Sequence, residues 1–575
     1  MKKSLFLIPM VAIGLFSCSE KDIPNSPEQG EGKSNAGYLT VNIISGGSTL
    51  STRSDDFQGG TDLENQVKSI RFYFFDDSGN GVNVNESNCY LDWNINDKGE
   101  NTTSSNNSPE RILQAHLILQ VKVGSPLPSY VVAVANPTDG LLKDQTITTS
   151  AALKSATVRT TDFSSENGFL MSNTIYLGNA TNHGTSAVGY ISTNQSEAQK
   201  KPLNINIERM LAKVEVNVDD KLASTTIGTD TYKFKLEDQY FGDDYANQAT
   251  DEKAIYVHIL GWNVTSTSNK SYVIKNLHNS WEEGNLWPSS VGTAWNDSSN
   301  ERSYWALNPA DVTYNYLPYS AMDNIELGGA TYAPENAAKA SATKAAQYGA
   351  ESSDDAEHTK VVIAAVLEDK EGNPLDLAQW SIYRDNKEKI IGAMLNQADL
   401  YVAGTNTKIS STHASKFELV SAYEADKTQT TGLWKAYLRV KPDNFSGYST
   451  TENGGAASSA KEINDVLEKL GTVRLWNQGK TYFYVNIKHL NPNGADNDGL
   501  IAGQYGVVRN HYYKVSITSI AGLGTPVPDD SDPEGPEPDD PPIIPEQPDT
   551  QEAYMYAQIQ ILPWKVVEQN AELTW

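Results

Sequence analysis

The sequence predicts an all-β protein, and three observations carry that prediction. Short runs in which apolar and polar residues alternate recur along the chain, each closed by Gly, Pro, Asn or Asp. No regular succession of strand and helix appears, which argues against parallel βαβ architectures. Hydrophobic residues are 38% and charged residues 20%, with 41 Gly and 29 Tyr, so polar uncharged residues fill the difference. That mixture suits strands and turns of an exported protein better than a helical cytosolic enzyme.

The 575-residue chain carries 45 Lys plus Arg against 72 Asp plus Glu, a formal net charge of −27. A surface this acidic repels DNA and RNA, so no nucleic-acid partner is expected. At about 100–200 residues per domain, the length corresponds to about two to four domains.

Taken in order, the chain opens with an address. Lys2 and Lys3 precede an apolar stretch at 5–15, too short for the roughly 20 helical residues that span a bilayer, so residues 1–17 read as a secretory signal. Leu15, Phe16, Ser17 and Cys18 resemble a bacterial lipobox, in which Cys18 becomes the lipidated first residue of the exported chain. The other cysteine, Cys89, then has no disulfide partner and reads as a small buried hydrophobe. Residues 19–37 offer almost nothing to bury and read as a tether. Leu39, Val41 and Ile43 share one face of a strand at 38–44, and the loop after it, rich in Gly and Ser, holds Arg53, the first arginine of the sequence.

The same grammar predicts strands at 67–75, 116–123, 130–135, 203–207 and 214–218, with a second domain opening near 204. A helix is expected at 460–470: Ser459 and Glu462 form a capping box, Ile463, Val466, Leu467 and Leu470 share a face, and Gly471 closes the end. A second, Ala-rich helix is expected at 336–350. Between Thr525 and Thr550 stand nine prolines and nine acids without a Lys or Arg, a composition that forms no packed core. Residues 525–552 therefore read as an acidic linker, at most roughly 80 Å long in polyproline II geometry. Beyond it Met555, Ala557, Ile559 and Ile561 share a strand face, and after a turn at Pro563 a second strand pattern runs from Trp564 through Val566, Val567 and Leu573. A tethered strand pair has two options: it folds back on its own domain, or it completes another chain's sheet.

Signatures of catalysis are missing from the sequence. Its eight histidines form no HExxH or HxH, and no GxSxG, Walker or strand-linked GxGxxG motif occurs, so neither an enzyme nor a cofactor or metal site is expected. Acidic pairs such as Asp76 and Asp77, Asp219 and Asp220, and Asp354 and Asp355 sit among turn formers and read as solvated loop charges. The oxygen-rich 491–499 lacks the ligand spacing of a calcium loop, and the 11 Trp and 29 Tyr read first as core and interface.

Several segments, weak singly, together resemble the FimA/Mfa type of fimbrillin, the type V pilins of Gram-negative surface fimbriae, with the Mfa branch closest. They are YVVAVAN at 130–136, FLMSN at 169–173, ERMLAKV at 208–214, GWNVT at 261–265, RSYWA at 302–306, GKTYFY at 479–484, VRNHYYKV at 508–515 and WKVVEQN at 564–570. The resemblance implies two transthyretin-like β-sandwich domains with a few short helices, at 54–203 and 204–524. It also implies a lipid-anchored precursor at the outer membrane, whose propeptide 18–53 carries a removable first strand with Leu39, Val41 and Ile43. An arginine-specific cut between Arg53 and Ser54 would release that strand, and the C-terminal donor strands at 553–575 of a neighbouring subunit would fill the groove. The donor residues carried over are Met555, Ala557, Ile559, Ile561, Trp564, Val566, Val567 and Leu573. The implied protein is a fimbrial shaft subunit that serves adhesion and biofilm formation, with copies of itself, other fimbrial subunits and host or bacterial surface receptors as partners. The alternatives are a monomeric, lipid-anchored glycan-binding surface protein, or a tip or anchor subunit of the same fimbrium.

Overall fold

The structure is a computed structural model that describes residues 34–45, 57–58, 60–85, 87–94, 101–102, 111–122, 125–137, 147–159, 164–165, 168–173, 186–187, 191–223, 232–242, 253–276, 307–336, 357–428, 432–489, 506–527, 541–544 and 564–573. Strands dominate it and the helices are short, as the alternation predicts.

The first sheet runs in the order Tyr90–Asn94, Ser69–Phe75, Tyr130–Ala135, Met171–Asn173, Leu203–Arg209, Ser34–Ser45, Arg111–Lys122, Asn101–Thr102. Its two ends share one core: Phe72 and Phe74 lie in the same apolar cluster as Leu117 and Leu119, and the Gln120 N–H donates to Val84 O at 2.7 Å. Folding the sheet on itself makes a sandwich and buries strand Ser69–Phe75 on both faces, beyond the single face that its alternation suggests. Cys89 is buried there, its Sγ 3.1 Å from Ile147 O, and burial pushes its thiol up, consistent with a packing role.

Leu211–Val218 opens the second sandwich. One five-stranded sheet has the order Phe57–Gln58, Trp564–Leu573, His511–Ile520, Leu211–Val218, Ala330–Pro334, and the facing one Lys233–Tyr240, Ala254–Thr265, Lys360–Glu368, Lys480–Asn486, Thr525–Pro526. Val214, Val216, Tyr513 and Val515 from the first meet Val257, Ile259, Ile363 and Val485 from the second.

Lys360–Glu368 and Lys480–Asn486 are antiparallel neighbours, yet the chain between them builds a third core. There the sheet Tyr383–Asp385, Leu377–Trp380, Val473–Trp476, Lys435–Val440, Phe417–Ser421 packs against helices Lys387–Gln397 and Ala460–Leu467. The second helix lies where its periodicity predicts, with Ile463 and Leu467 buried, a 3-10 turn continuing to Leu470 and Gly471 past its end at φ 84°. Its cap forms one residue early: the Ser458 N–H and Oγ–H donate to Glu462 at 2.9 and 2.7 Å, and Ser459 makes no capping bond. Helix Lys387–Gln397, unforeseen in the sequence, starts at Asn386, whose side chain accepts from Lys389 N at 3.0 Å. The Ala-rich 337–350 and the loop 491–499 lie outside the described residues.

Two glycines show why the quoted motifs are spaced as they are. Gly261 sits at a bulge in Ala254–Thr265, and a Cβ there would stand 2.6 Å from Asp323 O. Gly479 joins the third core back to the sandwich at φ 67°, where a Cβ would stand 2.2 Å from Leu367 O. Gly479→Ala should cost about 2 kcal/mol or more, because strain and a backbone clash combine. Urea unfolding of the two proteins side by side checks this.

Candidate functional site: the first strand and the junction behind it

The strand Ser34–Ser45 pairs antiparallel with Arg111–Lys122 along its whole length and parallel with Leu203–Arg209 from Val41↔Leu203 to Ser45↔Ile207. It is an interior member of its sheet. Leu39 and Val41 are 1% and 0% exposed in the first core, and Ile43 holds the register between Ile205 and Leu113. At Gly37 a Cβ would lie 2.7 Å from the Ile191 side chain, so the slot narrows at that point. Arg53 and Ser54 lie outside the described residues, as does Cys18.

Order is described again at Phe57–Gln58, which pairs with the start of the terminal strand through Phe57↔Lys565 and Gln58↔Trp564. The terminal strand Trp564–Leu573 lies in its own chain's sheet, parallel to His511–Ile520, with Val566 opposite Tyr512, Val567 opposite Tyr513 and Leu573 opposite Ile520. Of the two options open to a tethered strand, folding back is the one seen. Met555, Ala557, Ile559 and Ile561 lie outside the described residues.

Between these strands a turn is pinned to the second sandwich. Glu64 is fully buried and accepts from Thr61 N at 2.6 Å and from the Tyr332 hydroxyl at 2.6 Å, with the Lys213 Nζ at 3.0 Å. Burial alone would raise its carboxyl, but the bonds from Tyr332 and Thr61 and the Lys213 charge outweigh it and hold the group below its ordinary value. Arg209 donates to Glu64 O at 2.6 Å, to Asn510 Oδ1 at 3.0 Å and to Asn65 Oδ1.

A second buried arginine completes the junction. Arg509, 0% exposed, donates to Glu335 Oε2 at 2.7 Å, to Tyr272 O at 2.8 Å and to Val273 O at 3.2 Å, with Ser172 Oγ at 3.5 Å. Val273 and Ile274 in turn fill the first core, and Lys270–Tyr272 pairs with Thr157–Arg159. Asn136, at φ 52°, accepts from Lys68 N and donates to Gln66 O and Phe169 O, and so ties YVVAVAN to FLMSN. The segments at 130–136, 169–173, 208–214 and 508–515 thus converge in space. Glu64 and Glu335 were not singled out in the sequence; a charge set in an apolar strand run, as at Arg209 and Arg509, is the signal that points to such partners.

Among the described residues no group of three His, Cys, Asp or Glu is placed to hold a metal ion. The fold does bring two of the scattered histidines together: His489 and His511 meet edge to face, ring centres 4.9 Å apart, beside Tyr513, whose hydroxyl is 2.8 Å from His489 Nδ1. Asp76 and Asp219 accept backbone N–H bonds in their own turns, and Trp262 and Trp476 are core residues.

Residues 38–209 match the family model described as Major fimbrial subunit protein (FimA), and residues 474–570 match Major fimbrial subunit protein type IV, Fimbrillin, C-terminal. Both matched stretches are therefore similar to fimbrial subunit families, whose members are structural subunits of surface fimbriae, not enzymes. No curated protein matches the chain. Solved structures that superpose on parts of it include a putative cell adhesion protein from Parabacteroides distasonis, 12% identical with a TM-score of 0.32 over 59% of this chain and 78% of that one. A fimbrial assembly protein from the same organism is 13% identical at 0.26, over 59% and 97%. The tip fimbrial protein Mfa3 from Porphyromonas gingivalis, C-terminally truncated, is 11% identical at 0.24, over 59% and 80%.

Removing the Arg509 guanidinium would leave Glu335 buried without it, so Arg509→Ala should lose about 3–5 kcal/mol in denaturant unfolding. The Glu64 carboxyl, held below its ordinary value of 4.5, contributes stability that is complete above that value and lost as pH falls through the folded pKa. Glu64→Gln should therefore flatten the acid limb of the stability curve, measured as melting temperature between neutral and strongly acid pH.

Proposed function

We propose that the chain is a shaft subunit of a surface fimbrium that polymerises when its first strand is removed and a neighbour's terminal segment takes the vacated place. The observation that carries this reading is the interior position of Ser34–Ser45. Taking out an edge strand exposes one ladder, whereas taking out this one strips Arg111–Lys122 and Leu203–Arg209 together and uncovers the core beneath Leu39 and Val41. Burial of those two side chains alone is worth about 3–6 kcal/mol. A cut after Arg53 frees the strand and, with it, the link to a lipidated Cys18, so a subunit anchored in the outer membrane is released into the filament.

The terminal segment is a donor of suitable size. Its strand Trp564–Leu573 has 10 residues against 12 in Ser34–Ser45, and Met555, Ala557, Ile559 and Ile561 add an apolar face before it. In its own sheet Trp564–Leu573 has one long ladder, to His511–Ile520, and only Phe57–Gln58 on the other side. Leaving that place therefore costs one long ladder and a two-residue pairing, while entry into a vacated interior slot forms two ladders. Adhesion and biofilm formation follow from display on such a filament.

Brief trypsin treatment of the precursor from Ser19 onward should give a ladder of SDS-resistant multimers in unboiled samples, each beginning at Ser54. Arg53→Ala, or deletion of 554–575, should abolish it; normal high-mass polymer from both variants would sink the proposal.

A further inference from the structure

The acidic linker is interrupted at Pro541, Pro542, Ile543 and Ile544, and the two isoleucines are its only apolar side chains, proline aside, between Val527 and Ala553. This corrects the expectation that nothing in 525–552 packs. Ile543 is 2% exposed, against Met322, Val362, Ala364, Tyr482 and Val527, and its N–H donates to Leu317 O at 2.9 Å. Val362 and Ala364 alternate along their strand with Val361, Ile363 and Ala365, which face the sandwich core, so the patch lies on the opposite face of that sheet. Val527 and Ile543 meet in one cluster, so the chain leaves the patch after Val527 and is back on it at Ile543.

We propose that this patch is a binding site for the chain's own proline-flanked Ile543, a clamp that closes the acidic 528–540 into a loop and leaves only 545–563 to carry the terminal strand. Prolines at 541, 542 and 545 restrict the backbone before docking, so less conformational freedom is lost when Ile543 is buried. Ile543 supplies the apolar contact and its N–H fixes the register. The consequence is reach: at about 3.1 Å per residue, 528–563 would extend up to about 110 Å, whereas 545–563 extends up to about 60 Å. The clamp itself stands apart from the donor role, and the consequence for spacing between subunits rests on it.

Amide hydrogen exchange on the uncut chain from Ser19 tests the clamp. The Ile543 N–H should exchange at least about tenfold more slowly than amides in 529–540, Ile543→Asp should erase the difference and Ile543→Val should keep it. Exchange at Ile543 as fast as in 529–540 would overturn the clamp, as would protection that survives Ile543→Asp. Protection that grows with protein concentration would place a neighbour's linker on the patch and overturn closure within one chain. In trypsin-assembled filaments seen by electron microscopy, Ile543→Asp should lengthen or blur the axial repeat, and an unchanged repeat would overturn the consequence for reach. If the wild-type chain forms no filament at all, the donor reading fails, and the exchange result still decides the clamp.

Discussion

A strand inside a sheet satisfies its backbone on both sides, and its neighbours depend on it in return. Ser34–Ser45 is such a strand, and it carries Leu39 and Val41 into the first core. Its loss cannot be repaired by a small shift of one edge, because Arg111–Lys122 and Leu203–Arg209 are separated by its full width. In the proposed mechanism the cut therefore creates a demand for a strand from outside. Slow withdrawal of a strand held by two ladders would make the product durable.

That demand is useful only if the rest of the subunit stays put. The junction supplies this stiffness by burying charged groups with partners: the ion pairs of Glu64 with Lys213 and of Arg509 with Glu335, and the hydrogen bonds of Tyr332 to Glu64 and of Arg209 to Asn510. Buried ion pairs add little net stability against a well-packed apolar alternative, but breaking one is costly, so they fix one geometry. Glu64 and Asn65 follow Phe57–Gln58 closely, so the part of the chain just beyond the proposed cut is anchored to the second sandwich independently of the first strand.

The all-β fold was legible because alternation is a local property: the strands at 130–135 and 203–209, and the helix at 460–467, stand close to where their residue patterns put them. The third core was not, since nothing local marks Leu377–Trp380 and Val473–Trp476, which lie about a hundred residues apart in the chain, as partners. The first strand was legible as a strand, but its interior place depends on partners some 70 and 160 residues away. The linker was read by its average composition, which hides one isoleucine among acids. Burial of Ile543 is a tertiary fact that its apolar character alone hints at.

Amide hydrogen exchange of 111–122 and 203–209, followed through precursor, cut monomer and polymer, bears most directly on the central claim. The account predicts protection in the precursor, loss of protection in the cut monomer and its return in the polymer. A cut monomer as protected as the precursor, or a polymer in which both strands stay exposed, would contradict it.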